Sequence, residues 1–334
     1  MRTVNPARSL RHALLPIVAL LAILTFGWIH AAIALDYPTR PVTIIVPFSA
    51  GGPLDAQARL VAKGLSQRLG KPVVVDNRPG AAGAIGTRLA ARAAPDGHTV
   101  LFGALYLALE PVLRGSVGYD PQRDFAPVSL VSQSPFLLVV PAHSPVKSVG
   151  ELLAYARQHG SKLTFSSPGL GTAPHLLGEM LKVSTDLDIV HVPYKGEAPA
   201  IIDMLGGQIS MAFLTGFSGV PQVRSGKLRA LGVTAAKRLE ALVEVPTLAE
   251  AGLPGFELQV WFGALVPART PQEIITRLHT AIAAVVKSAE FTRAVESIGG
   301  VVVAGSPQEF AQRIRADAAS VAEFVEANDL EIEE

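Results

Sequence analysis

Residues 46–59 read VPFSAGGPLDAQAR, and this stretch decides how the fold is predicted. An apolar run over residues 43–46 ends here, and two glycines and a proline follow before an amphipathic pattern begins. This succession predicts a strand, a tight turn and the first turn of a helix. We expect Gly52 to be the N-cap of that helix, Pro53 its first residue and Asp55 an acid in its first turn.

The chemistry of this junction has two interpretations. The first N–H groups of a helix have no intrahelical partner, and together with the helix dipole they favour an anion. Gly51 and Gly52 would also let a ligand approach the backbone closely. A well-capped helix that faces solvent fits the same residues, since an acid such as Asp55 complements the dipole. The residues alone leave both interpretations open.

Length and composition indicate a globular protein with more than one centre of packing. The chain has 334 residues, which exceeds what one hydrophobic core usually serves and therefore predicts two lobes. Charged residues make up 17% and hydrophobic residues 49%, so disorder is not expected. The chain has no cysteine, which excludes cysteine-based zinc sites and thiol catalysis.

The first 34 residues have the pattern of a cleavable secretory signal. Three arginines precede an apolar run over residues 13–26, and the small-x-small pattern at residues 32–34 predicts cleavage after Ala34. A retained membrane anchor is the alternative, but the apolar run is shorter than the roughly 20 residues that a span needs. Removal of this segment leaves 26 Lys and Arg against 28 Asp and Glu, a net charge of −2. No basic surface for nucleic acid is therefore predicted.

Strand and helix patterns alternate along the rest of the chain, which predicts an α/β fold with parallel sheets. Strands are predicted at residues 42–46, 73–75, 99–102, 136–140, 162–166, 189–192, 209–213 and 229–234. Four pairs fit a capping box: Ser148 with Glu151, Thr247 with Glu250, Thr270 with Glu273, and Ser306 with Glu309. Two consecutive helices, at about 271–287 and 307–326, are predicted to close the chain.

A second glycine-rich junction reads LTFSSPGLGTAPH at residues 163–175, between a strand and a helix over 174–182. Its Gly169-x-Gly171 resembles the start of a dinucleotide fingerprint, but Pro174 replaces the third glycine, which argues against a nucleotide site. Hydroxyl donors at Ser166, Ser167 and Thr172 suit an oxygen-rich ligand such as a carboxylate. His175 is expected to orient this loop or to contact the ligand.

A third junction, VPYKGEAP at residues 192–199, also leaves a strand before a helix. Tyr194 is a candidate to bind or stack on a ligand, and Gly196 permits the turn. Lys195 is a candidate to pair with an anion, although a solvated surface lysine is the more ordinary role. Trp261 and Phe262 are expected to pack in the core or near a crossover between lobes.

The sequence offers no catalytic set. Ser218 lies in GFSGV, where valine replaces the final glycine of a nucleophile elbow. No phosphate-binding loop and no HExxH motif is present, and Asp186-x-Asp188 is too short for a calcium loop. We therefore predict that the protein is not an enzyme and has no cofactor or metal.

The ordered motifs between residues 37 and 326 resemble the Bug-type receptors, the extracytoplasmic substrate-binding proteins of tripartite tricarboxylate transporters. The resemblance is carried by YPTRPVTIIVPFSAGGPLDAQAR, VVVDNRPGAAGAIGTRLAARAAPDGHTVLFG, YDPQRDFAPVSLV, FSSPGLGTAPHL, HVPYKGEAPAIIDMLGGQISMAF, SGKLRALGVT and VPTLAEAGLPGFE. One departure is Leu214, where the family often has an aspartate. That difference weakens any transfer of a site to residues 214–216.

The resemblance implies a type II periplasmic-binding-protein fold with a ligand cleft between two lobes. Lobe 1 is expected at 36–138 and 260–334 and lobe 2 at 139–259. The resemblance further implies that the Phe48–Gly52 turn binds a ligand carboxylate and that the Ser166–Thr172 turn contacts the ligand from the opposite lobe. With the junction residues, the predicted ligand-binding set is Phe48, Ser49, Ala50, Gly51, Gly52, Asp55, Ser166, Ser167, Gly171, Thr172, His175, Tyr194, Lys195 and Gly196.

The family also implies a periplasmic monomer that closes on a di- or tricarboxylate, an amino acid or an aromatic acid. Its expected partners are that ligand and the membrane permease subunits of a tripartite transporter. A receptor that acts on a sensor ectodomain is the alternative, and a secreted hydrolase is a further one.

Overall fold

The computed structural model describes residues 37–327, so the predicted signal peptide lies outside the described residues. From Pro38 onward the described residues form one compact unit. Its strands are β1 (Val42–Val46), β2 (Val73–Asn77), β3 (Thr99–Ala104), β4 (Phe125–Pro141), β5 (Thr164–Ser167), β6 (Val190–Pro193), β7 (Met211–Thr215), β8 (Leu228–Val233), β9 (Gln259–Pro267) and β10 (Val301–Gly305). No helix within residues 37–327 combines the length and the apolar character that a membrane span requires.

The α-helices lie between these strands and after the last one. They are α1 (Pro53–Leu69), α2 (Ala84–Ala91), α3 (Tyr106–Arg114), α4 (Val149–His159), α5 (Ala173–Thr185), α6 (Glu197–Leu205), α7 (Gly216–Arg224), α8 (Gln272–Val286), α9 (Ala289–Glu296) and α10 (Pro307–Ala327). Strand and helix alternate as the sequence predicts, so the α/β class is confirmed.

The strands pair in the order β2-β1-β3-β9-β4-β7-β5-β6, with β8 and β10 also on β4. Pairs at the two ends are parallel, whereas β9 and β4 pair antiparallel with their neighbours. β4 is shared between the two ends, because its first part pairs with β9 and β10 and its second part with β7 and β8. The prediction of parallel sheets is therefore correct only at the flanks.

The opening junction has the predicted local structure. β1 ends at Val46, Gly52 is the N-cap of α1 in an extended conformation, and Pro53 is the first helical residue. Leu54, Ala58, Val61 and Leu65 of α1 are buried, as their helical spacing predicts.

From β4 onward the chain departs from prediction in three places. α8 and α10 match the two predicted closing helices, but they are not consecutive, because α9 and β10 lie between them. β9 was not predicted. β4 extends well before its predicted start at residue 136, since prolines and serines interrupt the apolar pattern of its first part. Trp261 and Phe262 lie on β9 and are fully buried, which confirms that they pack in the core.

The predicted capping boxes differ in outcome, because a capping pattern leads to a helix only where the following residues can continue one. Ser306 and Glu309 exchange both hydrogen bonds at the start of α10. Thr247 and Glu250 exchange both bonds as well, yet only a turn follows, because Gly252 is left-handed and Pro254 stops the helix. At Thr270 the prediction is wrong, since its hydroxyl donates to the Pro267 carbonyl and Pro271 is the N-cap of α8.

Candidate functional site

A cavity lies where several strand-to-helix junctions meet. Its volume is about 60 Å³. Among residues 37–327, no lysine and no arginine lines it, and Glu197 is the only carboxylate in its wall. The lining residues are Phe48, Ser49, Gly52, Pro53, Leu54, Ala104, Leu105, Tyr106, Phe136, Pro168, Thr172, Ala173, Pro174, Gly196, Glu197, Thr215, Val260 and Phe262.

Five helices begin at the wall of this cavity. The N-cap residue of each lines it: Gly52 for α1, Leu105 for α3, Thr172 for α5, Gly196 for α6 and Thr215 for α7. The N-terminus of a helix carries a partial positive charge and N–H groups without intrahelical partners. Five such ends around an otherwise uncharged pocket make a site suited to an anion.

The Phe48–Gly52 turn is predicted to bind the ligand through its backbone, and part of that backbone is already hydrogen-bonded. The Ser49 N–H and hydroxyl both donate to the Lys195 carbonyl, at 3.1 and 3.0 Å. The Gly51 N–H donates to the Asp55 carboxylate at 2.9 Å. Phe48, Ser49 and Gly52 still line the cavity, whereas Ala50 and Gly51 do not.

Asp55 stabilises the Phe48–Gly52 turn through hydrogen bonds and does not line the cavity. Its carboxylate is buried and accepts hydrogen bonds from Gly51, Arg59 and Asn77 at 2.9–3.0 Å. Asn77 also donates to the Phe48 carbonyl at 3.1 Å, which ties the turn to β2. Burial opposes ionisation, but the hydrogen bonds from Arg59, Gly51 and Asn77 outweigh it and lower the pKa of Asp55.

The Ser166–Thr172 turn reaches the cavity through Pro168 and Thr172 alone. The Ser167 hydroxyl contacts Gly169 and lies 2.6 Å from the Nε2 atom of His191. The Thr172 hydroxyl donates to the Gly169 carbonyl at 2.7 Å. Ser166 is buried, and its hydroxyl oxygen has no hydrogen-bond partner among the described residues. The predicted hydroxyl donors therefore mostly shape the turn.

Two histidines whose rings contact each other at a tilted angle support this second turn. The Gly171 N–H donates to Nδ1 of His175 at 3.2 Å, so that nitrogen carries no proton. The His175 and His191 rings lie 4.1 Å apart. Burial, followed by the nearby His191 and Lys182, lowers the pKa of His175 to about 3, and burial lowers that of His191 to about 4. The prediction that His175 orients a loop fits this geometry.

The third junction places its side chains away from the cavity. The Tyr194 hydroxyl donates to Asp203 at 2.6 Å, and its ring packs against the hydrophobic cluster that contains Leu214. The Lys195 side chain is exposed, while its carbonyl receives the Ser49 bonds. Gly196 lines the cavity. Leu214 is buried in the cluster, so the departure from the family at this position lies in the core and not at the cavity.

Sequence analysis missed Glu197, the residue after Gly196. Its carboxylate accepts the Thr215 N–H at 3.3 Å, the Thr215 hydroxyl at 3.0 Å and a hydrogen bond from Ser218. Burial raises the pKa of Glu197 to about 7 against the effect of these donors. A carboxyl group directly after a strand-exit glycine is a signal that could have identified it.

The apolar wall was missed too. Tyr106, Phe136 and Phe262 line the cavity, and Phe48 meets Tyr106 edge-on with ring centres 5.2 Å apart. The Tyr106 hydroxyl lies 2.9 Å from that of Thr87, so this oxygen already has a hydrogen-bond partner and Tyr106 contributes its ring to the cavity wall. Tyr106 begins α3, whereas Phe136 lies on β4 and Phe262 on β9, so the wall comes from segments that are distant in sequence.

Comparisons with known proteins agree on one family. Residues 57–330 match the model of the tripartite tricarboxylate transporter family receptor. A protein from the tcbD-tcbE intergenic region of Pseudomonas sp. (strain P51) is 39% identical over 84% of this chain and 84% of its own length. BugT of Bordetella pertussis is 36% identical over 84% of this chain and 87% of its own.

Solved structures agree with the fold. The periplasmic binding protein BugD superposes with a TM-score of 0.86 at 34% identity, covering 88% of this chain and 99% of its own. An R. palustris protein with adipate superposes with a TM-score of 0.84 at 38% identity, covering 88% of this chain and 99% of its own. MatC from Rhodopseudomonas palustris with bound malate superposes with a TM-score of 0.84 at 31% identity, covering 86% of this chain and 100% of its own. The predicted periplasmic-binding-protein fold is thereby confirmed.

Proposed function

Because this chain belongs to the tripartite tricarboxylate transporter receptor family, we propose that it captures a small carboxylate in the periplasm and delivers it to the membrane subunits of such a transporter. The family and its solved members are substrate-binding proteins rather than enzymes, as the sequence predicts. Malate and adipate in two related structures support a carboxylate as the ligand.

One observation carries the proposal: five helix N-caps line a cavity that contains no lysine or arginine. Backbone N–H groups and helix dipoles would hold the ligand carboxylate there. Among the described residues, none accepts a hydrogen bond from the N–H of Gly52 or Leu54 in the first turn of α1. These two groups are our first candidates for direct contact with the ligand.

Capture would proceed by closure of the two lobes predicted at 36–138 with 260–334 and at 139–259. The Ser49–Lys195 hydrogen bonds join the proposed lobes directly beside the cavity. A ligand that contacts N-caps from both lobes would favour this closed arrangement over an open one. The lobe boundaries and the movement are parts of the proposal.

Calorimetry on the refolded, ligand-free protein tests this function. Mono-, di- and tricarboxylates should be titrated, with matched amines and neutral amides of the same skeletons as controls. We expect at least one carboxylate to bind and to raise the unfolding temperature by about 2–5 °C at saturating concentration, while its amide does not. Absence of binding by every carboxylate to folded protein, or chemical conversion of a bound one, would contradict the proposal.

A further inference from the structure

Resting on this proposed function, we infer that Glu197 restricts the cavity to ligands with a single carboxylate and an apolar body. The cavity already contains one carboxyl group, which belongs to the protein. A second carboxylate on the ligand would have to share the same small cavity with it.

Glu197 is built into the cavity wall and is not a surface acid. Only 4% of the residue is exposed, and it lines the cavity together with Thr215. Its two oxygens accept the N–H and hydroxyl of Thr215, the N-cap of α7. The carboxylate therefore occupies the N-terminus of α7, and the other four N-termini are left for a ligand anion.

No cation balances this carboxylate. Within the described residues Glu197 takes part in no ion pair, and its hydrogen-bond donors Thr215 and Ser218 are neutral. The cavity wall has no lysine or arginine to neutralise a second ligand carboxylate. Like charges placed together in a site of low polarity are strongly unfavourable.

The rest of the wall suits hydrocarbon. Phe48, Tyr106, Phe136, Val260 and Phe262 present apolar surface. The Tyr106 hydroxyl is paired with Thr87, so it has no need of a ligand acceptor. A ligand with one carboxylate and an alkyl or aromatic body matches both parts of the cavity. Its carboxylate would lie at the free helix N-termini, and its body would pack against these apolar side chains.

The charge of Glu197 also makes the selection depend on pH. In the part of the chain that the structure describes, Glu197 and Tyr106 are the only titratable groups in the wall, and burial keeps Tyr106 neutral by raising its pKa. On the adjoining helices Asp55 is paired with Arg59, and burial keeps His175 neutral. Because the pKa of Glu197 is about 7, acidification from pH 8 to pH 6 removes most of the competing charge.

Matched acids that differ only in a second carboxylate test the inference. Hexanoate with adipate, butanoate with succinate, and benzoate with terephthalate should be titrated at pH 8 into the wild-type protein and Glu197→Gln. In wild type, we expect the monocarboxylate to bind with at least about tenfold higher affinity than its dicarboxylate partner, in the pair that binds best. In Glu197→Gln, this ratio of the two affinities should fall below about threefold. Glu110→Gln is the control, since Glu110 is a buried acid whose pKa burial also raises to about 7 but it does not line the cavity.

The outcomes separate the two proposals. If no member of this series and no other carboxylate of the calorimetry panel binds folded protein, the proposed function fails. If a monocarboxylate and its dicarboxylate partner bind wild type equally, or Glu197→Gln leaves their ratio unchanged, the inference fails while the function stands. Should Glu197→Gln not fold, wild type decides, because the dicarboxylate must gain about tenfold relative to its partner from pH 8 to pH 6.

Discussion

The two glycine-rich turns of the site, Phe48–Gly52 and Ser166–Thr172, are held by opposite means. A charged network of Asp55, Arg59 and Asn77 supports the first. Neutral groups support the second, namely the Ser167 and Thr172 hydroxyls with the His175 and His191 rings. In both cases polar side chains next to the turn shape its backbone, and of those named here only Thr172 also lines the cavity. The difference predicts that the two turns fail under different conditions.

Asp55→Ala should be the most damaging change, because it removes the buried carboxylate that accepts hydrogen bonds from the Gly51 N–H, the Asn77 amide and Arg59. We expect about 3 kcal/mol less free energy of unfolding, measured by urea titration. Arg59→Ala is the matched control. More than half of the Arg59 side chain is exposed, so its loss should cost under about 1 kcal/mol. Equal losses in the two variants would show that the exposed ion pair, and not the turn, matters.

Acid should weaken the second turn before the first. His175 and His191 have folded pKa values of about 3 and 4, below the ordinary 6.5, so the unfolded chain binds more protons between these limits. Stability from these groups is present above pH 6.5 and is lost as pH falls toward 4. Relative to a His175→Asn, His191→Gln variant, wild type should lose about 2 kcal/mol for each histidine, about 4 kcal/mol in total, from pH 7 to pH 5. Parallel stability curves for the two proteins would contradict this account.

Gly51→Val tests the first turn at its backbone. Gly51 has a φ of +81°, and an added Cβ would come no closer than 3.9 Å to the Ala198 side chain, so strain rather than collision opposes the change. We expect a loss of about 1–2 kcal/mol in stability together with weaker carboxylate binding in calorimetry. Gly70→Val provides the control, since Gly70 has a φ of +70° in open space away from the cavity. It should lose stability similarly and bind ligand normally.

Tyr194→Phe should have the smallest effect. It removes the hydrogen bond to Asp203 but leaves the cavity wall intact. We expect about 1 kcal/mol less stability and ligand affinity within about twofold of wild type. A tenfold loss of affinity would return Tyr194 to the ligand-binding set and place the third junction beside the other two in function.

Local signals predicted backbone well and side-chain roles poorly. The Gly52–Pro53–Asp55 pattern located the start of α1 to the residue, since capping depends on neighbours in sequence. The strands β9 and β10 were missed, because they are defined by pairing with the irregular strand β4. Asp55 was assigned to the ligand, although its partner Asn77 lies on the next strand.

The cavity wall shows the same limit. Gly52, Thr172 and Gly196 were predicted, because glycine-rich strand exits mark places where helices begin. Glu197 was not, because its role depends on Thr215, which β7 brings beside it. The aromatic wall required the order of the strands, and no local pattern contains that order.

A crystal structure of the protein with its best-bound monocarboxylate tests the central claim most directly. We predict that the ligand carboxylate accepts hydrogen bonds from backbone N–H groups at the helix N-termini, with Gly52 and Leu54 among them. Its hydrocarbon should lie against Phe136 and Phe262, away from Glu197. A ligand bound outside this cavity, or held there by a lysine or arginine side chain, would contradict the account.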